Sequence, residues 1–170
     1  MKITVTLLVI MNLFLLAFII KKKPITIRED ADPFEKLTLL YGKEYVIREN
    51  DWPVLYIFFN VDASCGCLED WPNWVEAANT LGDKMIVRGI FTGEDKTKLT
   101  GFSNGFQLNF PIYDDPDKTM SRRLRVPNKL TKVLVDSHQR ILFSDSYQIE
   151  PHDQDYFLAR LRGHLERMQR

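Results

Sequence analysis

Apolar and polar positions along the chain alternate in a few recognisable patterns. Val54–Phe59 (VLYIFF) contains no charged or amide side chain and is rich in aromatic and β-branched residues. That is the pattern of a strand covered on both faces. A polar turn follows, and then Leu68, Trp71, Val75, Ala78 and Leu81 recur at helical spacing until Gly82-Asp83. Pro72 within this run predicts a kink or the end of the first turn. Met85–Phe91 (MIVRGIF) is the next strand and exits at Thr92-Gly93. Glu94–Phe106 reads as a helix weakened by Gly101 and Gly105. Phe110–Tyr113 is a short strand running into the acidic turn Asp114-Asp115-Pro116-Asp117, and Lys118–Leu124 is a short basic helix. Leu130–Val135 and Arg140–Phe143, joined by Asp136-Ser137-His138-Gln139, form a β-hairpin. Asp153 caps a last helix with Phe157, Leu161, Leu165 and Met168 on one face.

Before the central strand, Phe34–Tyr41 reads as a short apolar segment docking on the body. Gly42 marks a turn, Tyr45-Val46-Ile47 a short strand, and Glu49-Asn50-Asp51 with Pro53 a further turn. The predicted order is β-β-α-β-α-β-α-β-β-α. Strands separated by helices predict a parallel core, and the late hairpin adds an antiparallel edge.

The N-terminus has a different character. Ile3–Ile20 is eighteen uncharged residues followed by Lys21-Lys22-Lys23. As a helix it spans about 27 Å, against a bilayer core of about 30 Å. It is long for the apolar region of a cleaved signal, and Phe18-Ile19-Ile20 offers no small-residue cleavage site. The reading is a retained signal-anchor: residues 1–23 a single-pass transmembrane helix with its lysine flank, 24–33 a polar tether, and 34–170 the folded domain.

Charge and cysteine content narrow the function. The 170 residues carry 23 basic and 23 acidic side chains, but four of the lysines lie in residues 1–23, which hold no acid. The remainder has 19 basic against 23 acidic residues, about −4 in all. A mildly acidic body argues against nucleic acid as a partner. Cys65 and Cys67 are the two cysteines of the chain, and both stand where the buried strand hands over to a helix. A thiol there is exposed at the end of the sheet, and the helix N-terminus favours its thiolate. Asp62, Glu69 and Asp70 oppose that effect. Residues i and i+2 come within disulfide range, particularly around a glycine, and the small ring is strained and oxidising.

These residues resemble the thioredoxin-like superfamily, and within it the membrane-anchored thiol–disulfide oxidoreductases and redoxins related to the peroxiredoxins. The resemblance spans Phe34–Leu165. It rests on the element order, on L-Y-G-K-E-Y-V-I before the central strand, on the strand-turn-Cys-helix unit and on the hairpin L-T-K-V-L-V-D-S-H-Q-R-I-L. It implies an α/β three-layer sandwich, a mixed central sheet with helices on both faces, preceded here by the transmembrane helix. It also implies disulfide exchange with protein thiols or disulfides through a Cys65–Cys67 pair, with no cofactor; by exposure Cys65 is the attacking thiol and Cys67, at the helix start, the resolving one. The membrane is the second partner, through residues 3–20.

Two positions depart from the family. Its C-x-x-C motif, aligned on Cys67, puts Ser64 at the attacking position; alternatively Cys65 attacks and the loop is one residue short. The cis-proline expected before the hairpin strand falls near Leu130, with Pro127 the nearest proline. Ser64, Trp74 and Leu130 are the candidate substrate-groove residues. Trp71 is expected in the core and Trp74 on a surface facing a partner.

Three other readings stay open. Ser64 and Cys67 fit the end of the peroxidatic motif P-x-x-x-[ST]-x-x-C, with Asn60 in place of its proline and Arg122, Arg123 or Arg125 as the guanidinium. The domain could be a non-catalytic interaction module at the membrane. Cys-x-Cys with a histidine could hold Cu(I) or Zn, but His138, His152 and His164 lie in the hairpin turn and near or in the last helix, and read as surface residues, so no metal is expected. For the compartment, lysines after the anchor favour a cytoplasmic body, whereas a working disulfide favours an oxidising one. The expectation is an extracytoplasmic body on the periplasmic side.

Overall fold

The apolar run Val54–Phe59 forms β2, and every one of its residues is buried. Leu55, Ile57 and Phe59 face one core cluster; Val54, Tyr56 and Phe58 face a second on the other side of the sheet. A strand with no polar face needs both sides covered, which fixes it at the centre of the sheet. The structure is a computed structural model that describes residues 37–43, 52–61, 67–127, 130–146 and 154–168. All lie within one compact unit, Pro33–Arg170.

The elements are β1 (Thr38–Tyr41), β2 (Val54–Phe59), α1 (Cys67–Leu81), β3 (Ile86–Phe91), α2 (Lys96–Gly105), β4 (Ile112–Asp114), α3 (Thr119–Arg123), β5 (Thr131–Val135), β6 (Ile141–Ser146) and α4 (Gln154–Met168). They build one six-stranded sheet in the order β1-β4-β3-β2-β5-β6. β2, β3 and β4 run parallel. β5 joins β2 and β6 joins β5 antiparallel, and β1 adds an antiparallel edge beside β4. The expected parallel core and antiparallel hairpin are both present.

One face of the sheet carries the larger core. Trp74, Ala77 and Leu81 of α1, Leu99 and Phe102 of α2, and Phe157, Leu161 and Leu165 of α4 pack there. Phe59 is its aromatic hub, with ring centroids 5.1 Å from Trp74, 5.9 Å from Phe91 and 6.0 Å from Phe102. On the opposite face Met120 and Leu124, in and just after α3, pack against Val54, Tyr56 and Phe58 of β2. Asp115 caps α3, its carboxylate accepting from the backbone N–H groups of Met120 at 3.2 Å and Ser121 at 3.0 Å. Helices thus cover both faces, as expected.

Three local expectations change. Part of the docking segment Phe34–Tyr41 is a strand: Thr38–Tyr41 pairs with β4, whose outer edge is otherwise open, and Gly42 then turns the chain at φ +83°. Pro72 lies inside an unbroken α1. Its missing N–H forfeits the bond to residue 68, early enough in the helix to leave the later turns intact. α2 is a regular ten-residue helix despite its glycines; Asp95 caps it by accepting from the N–H groups of Thr97 and Lys98, and a Cβ on Gly101 would meet nothing within 4 Å.

The apolar run Ile3–Ile20, Lys21–Lys23, the tether, Tyr45-Val46-Ile47 and the Glu49-Asn50-Asp51 turn lie outside the described residues, as do His152 and Asp153. Among the described residues no helix is long and apolar enough to cross a membrane.

Candidate active site

β2 delivers the chain to the carboxyl end of the sheet. Asn60 and Val61 follow it, both half-buried, and α1 begins at Cys67. The second cysteine is therefore the first residue of a fifteen-residue helix, where free backbone N–H groups and the helix dipole favour a negative charge. Asp62, Ser64 and Cys65 lie outside the described residues.

One turn into α1, at i+3 from Cys67, the helix carries a buried carboxylate. Asp70 is 2% exposed. It accepts hydrogen bonds from the Lys132 ammonium at 3.0 and 2.8 Å, from Trp74 Nε1 at 2.8 Å and from Asn73 Nδ2 at 2.6 Å. Lys132 has a fully buried side chain and also lies 3.2 Å from Asp145 Oδ2 of β6. Its ammonium sits 4.3 Å from the centre of the Phe157 ring of α4. An unpaired charge at such depth would be prohibitively costly, so the ammonium between two carboxylates is the condition for burying any of the three. The cluster binds α1, β5, β6 and α4 together beneath the start of the cysteine helix.

This cluster escapes the sequence reading, which counts Asp70 with Asp62 and Glu69 as negative charge opposing a thiolate at the cysteines. A signal for it existed: Lys132 is the single charge in the strand T-K-V-L-V, where a buried position holding lysine requires a carboxylate partner.

The expected groove residues are distributed differently. Trp74 is fully buried, whereas Trp71 is half-buried and stacks on Phe106 at 4.9 Å. The expectation for the two tryptophans is reversed. The reason is Asp70: once Lys132 draws it inward, the buried face of α1 runs through Asp70, Trp74, Ala77 and Leu81, and the stripe chosen by apolar residues alone is rotated off it. Leu130 is 3% exposed and belongs to the core, so it presents no groove surface. No peptide bond among the described residues is cis, Val126–Pro127 included.

The arginines weighed for a peroxidatic role, Arg122, Arg123 and Arg125, are exposed on and after α3. A different arginine is buried: Arg88 of β3, 1% exposed, lies 5.8 Å from the Tyr113 ring centre on the α3 side of the sheet. His138 is in the hairpin turn beside Ser137. His164 packs on Phe143 with ring centres 5.6 Å apart; burial, then Arg167 and Arg160, hold its imidazole below the ordinary histidine range. Among the described residues no three histidine, cysteine or acidic side chains gather as a metal site.

No family model matches the sequence, and no curated protein matches it significantly. Solved structures do. A secreted Mycobacterium tuberculosis disulfide oxidoreductase homologous to Escherichia coli DsbE aligns with a TM-score of 0.60 at 20% identity, over 76% of this chain and 92% of that one. The exposed lipoprotein thioredoxin of Streptococcus pneumoniae aligns at 0.58 and 19%, over 75% and 98%. The Xanthomonas campestris bacterioferritin comigratory protein, described for alkyl peroxide reduction, aligns at 0.58 and 16%, over 76% and 90%. The chain has the thioredoxin-like fold, and its structural neighbours include thiol–disulfide oxidoreductases and a protein described for alkyl peroxide reduction.

Proposed function

We propose that the chain is a membrane-anchored thiol–disulfide oxidoreductase that works through Cys65 and Cys67. The observation that carries this reading is positional. In a thioredoxin-like fold, the chain's two cysteines fall between the end of β2 and the first residue of α1.

The exchange runs in two displacements. The Cys65 thiolate attacks one sulfur of a partner disulfide; the partner S–S bond breaks, a Cys65–partner mixed disulfide forms, and the released thiolate takes up a proton. The Cys67 thiolate then attacks Cys65 Sγ and expels the second partner thiol. The partner gains two electrons and the pair becomes a disulfide; the reverse sequence oxidises a dithiol. The α1 N-terminus favours the Cys67 thiolate, while Glu69 and Asp70 oppose it. A Cys-Gly-Cys ring is smaller than that of C-x-x-C, so its disulfide is the stronger oxidant. Residues 1–23 anchor the protein, 24–33 tether it, and 34–170 work on the oxidising, extracytoplasmic side.

A second reading is peroxide reduction at Cys67. The spacing Ser64-x-x-Cys67 and the likeness to the Xanthomonas protein favour it. Insulin reduction and refolding of scrambled ribonuclease by the full chain in detergent test the primary reading. Activity should be abolished in the Cys65→Ser, Cys67→Ser double variant; equal rates for wild type and double variant would sink it and leave an interaction module. Peroxide consumption that survives Cys65→Ser but not Cys67→Ser would favour the second reading. Carbonate-resistant membrane association that vanishes on deleting residues 1–23 tests the anchor.

A further inference from the structure

A pocket of about 360 Å³ opens at the carboxyl end of the sheet. It lies among the residues at and just past the ends of the three parallel strands: Phe58 and Asn60 on β2, Phe91 and Gly93 on β3, Asp114 on β4. Open α/β sheets bind ligands at this end of their strands. The volume is near the lower limit for ligand sites, which suits one long side chain better than a folded element.

The lining has two parts. Phe58, Phe91, Val126 and Pro127 supply an apolar wall. Gly93 keeps that wall closed: a Cβ there would lie 2.5 Å from Phe91 Cζ and 3.2 Å from Asn60 Cβ, so only bare backbone lets the ring and the β2 exit meet. The rim is charged. Glu94 is exposed, and Asp114 is 7% exposed with its carboxylate paired to Lys96, which reaches it from α2. Asp115 is engaged at the start of α3, where Ser121 Oγ also donates to it at 2.9 Å. Lys118 is the cation of the lining. Three carboxylates against Lys118 and Lys96 leave one negative charge in excess, and Glu94 is the carboxylate most open to solvent.

Apolar side chains beside carboxylates in one pocket fit a methylene stem with a cationic head. Along the chain, the pocket residue Asn60 lies close to the proposed redox turn. Asn60 is five residues before Cys65, a reach of no more than about 18 Å, and Pro127 belongs to the loop that leads into β5.

We propose that this pocket receives a lysine or arginine side chain of the substrate polypeptide, next to its reactive disulfide. The inference rests on the disulfide-exchange reading and adds to it a substrate class: disulfides flanked by a basic residue.

Four peptides with one intramolecular disulfide, differing only in a residue beside the cysteine (Lys, Arg, Leu or Glu), test it with the full chain in detergent. The Lys and Arg peptides should be turned over with kcat/KM about fivefold above the Leu peptide, the size of an exposed ion pair, and the Glu peptide should be slowest. Glu94→Gln should bring the Lys and Arg peptides down to the rate of the Leu peptide measured with the same variant. Raising salt from 20 mM to 500 mM should shrink the preference in wild type and leave Glu94→Gln unmoved. Equal rates for all four peptides, a preference for Glu, or a Lys preference untouched by Glu94→Gln would each overturn the pocket and leave the exchange chemistry standing. No turnover of any peptide would overturn the exchange reading itself.

Discussion

Lys132 on β5 places its ammonium 2.8 Å from Asp70 Oδ2 on α1, and the two side chains are 0% and 1% exposed. This contact joins residues 62 apart in sequence and fixes the rotation of the cysteine helix on the sheet. It decides which tryptophan is buried, and it puts a charged group one turn from Cys67.

The cluster is asymmetric, and that gives a first prediction. Lys132→Met leaves Asp70 and Asp145 buried together without their counter-ion and should destabilise the fold by about 3–5 kcal/mol. Asp70→Asn should cost less. Lys132 keeps Asp145 at 3.2 Å, and the amide oxygen still accepts from Trp74 Nε1. Urea denaturation of both variants checks the order; equal losses would mean that the ammonium is not the centre of the cluster.

The tryptophans supply a second test. Trp74 is fully buried against Phe59 and donates to Asp70, so Trp74→Ala should cost about 3–5 kcal/mol. Trp71 is half-buried, and Trp71→Ala should cost about 1–2 kcal/mol. Comparable denaturation midpoints for the two variants would contradict the orientation of α1.

What the sequence made legible follows from where local pattern decides structure. VLYIFF has one interpretation, a strand buried on both faces, and the alternation of strands and helices after it leaves little choice of architecture. β1 was misread because Thr38–Tyr41 has no alternation of its own, with two exposed and two half-buried positions; it is a strand because β4 has an edge to fill. The buried face of α1 was misread because apolar spacing carries no information about a carboxylate drawn inward by a lysine 62 residues away. The cysteine pair is legible as a position in the chain, while the pocket at the ends of β2, β3 and β4 is not, since its walls come from five separate stretches.

Glycines of opposite character provide a third prediction. A Cβ on Gly89, in the middle of β3, would lie 3.0 Å from Ile112 Cγ1, 3.1 Å from Phe59 Cε1 and 3.3 Å from Phe110 Cε2. Gly89→Ala should therefore overpack the core and destabilise by about 1–3 kcal/mol. Gly101 lies within α2, exposed, with nothing within 4 Å of its Cβ position. Gly101→Ala should stabilise by about 0.5–1 kcal/mol through helix propensity and a less flexible unfolded chain. Thermal denaturation separates the two; shifts of the same sign would refute the packing around β3.

The turn of the β5–β6 hairpin carries a pH signature. Asp136 Oδ1 accepts from the N–H groups of His138 and Arg140, each at 2.9 Å, and Oδ2 accepts from Arg140 Nε at 2.6 Å. Burial pushes this carboxyl upward, but the bonds from Arg140 and His138 outweigh it and hold it below the ordinary aspartate value. A carboxyl depressed in the folded state binds its proton more readily when unfolded, so its stabilisation is present at neutral pH and lost on acidification. Asp136→Asn should destabilise by about 1–2 kcal/mol at pH 7. The gap to wild type should hold down to about pH 5, then close as the pH falls through the unfolded value near 3.9 towards the lower folded one. Denaturation of both proteins across pH 3–7 measures it. A gap independent of pH would mean that the Asp136 carboxylate charge contributes nothing to the turn.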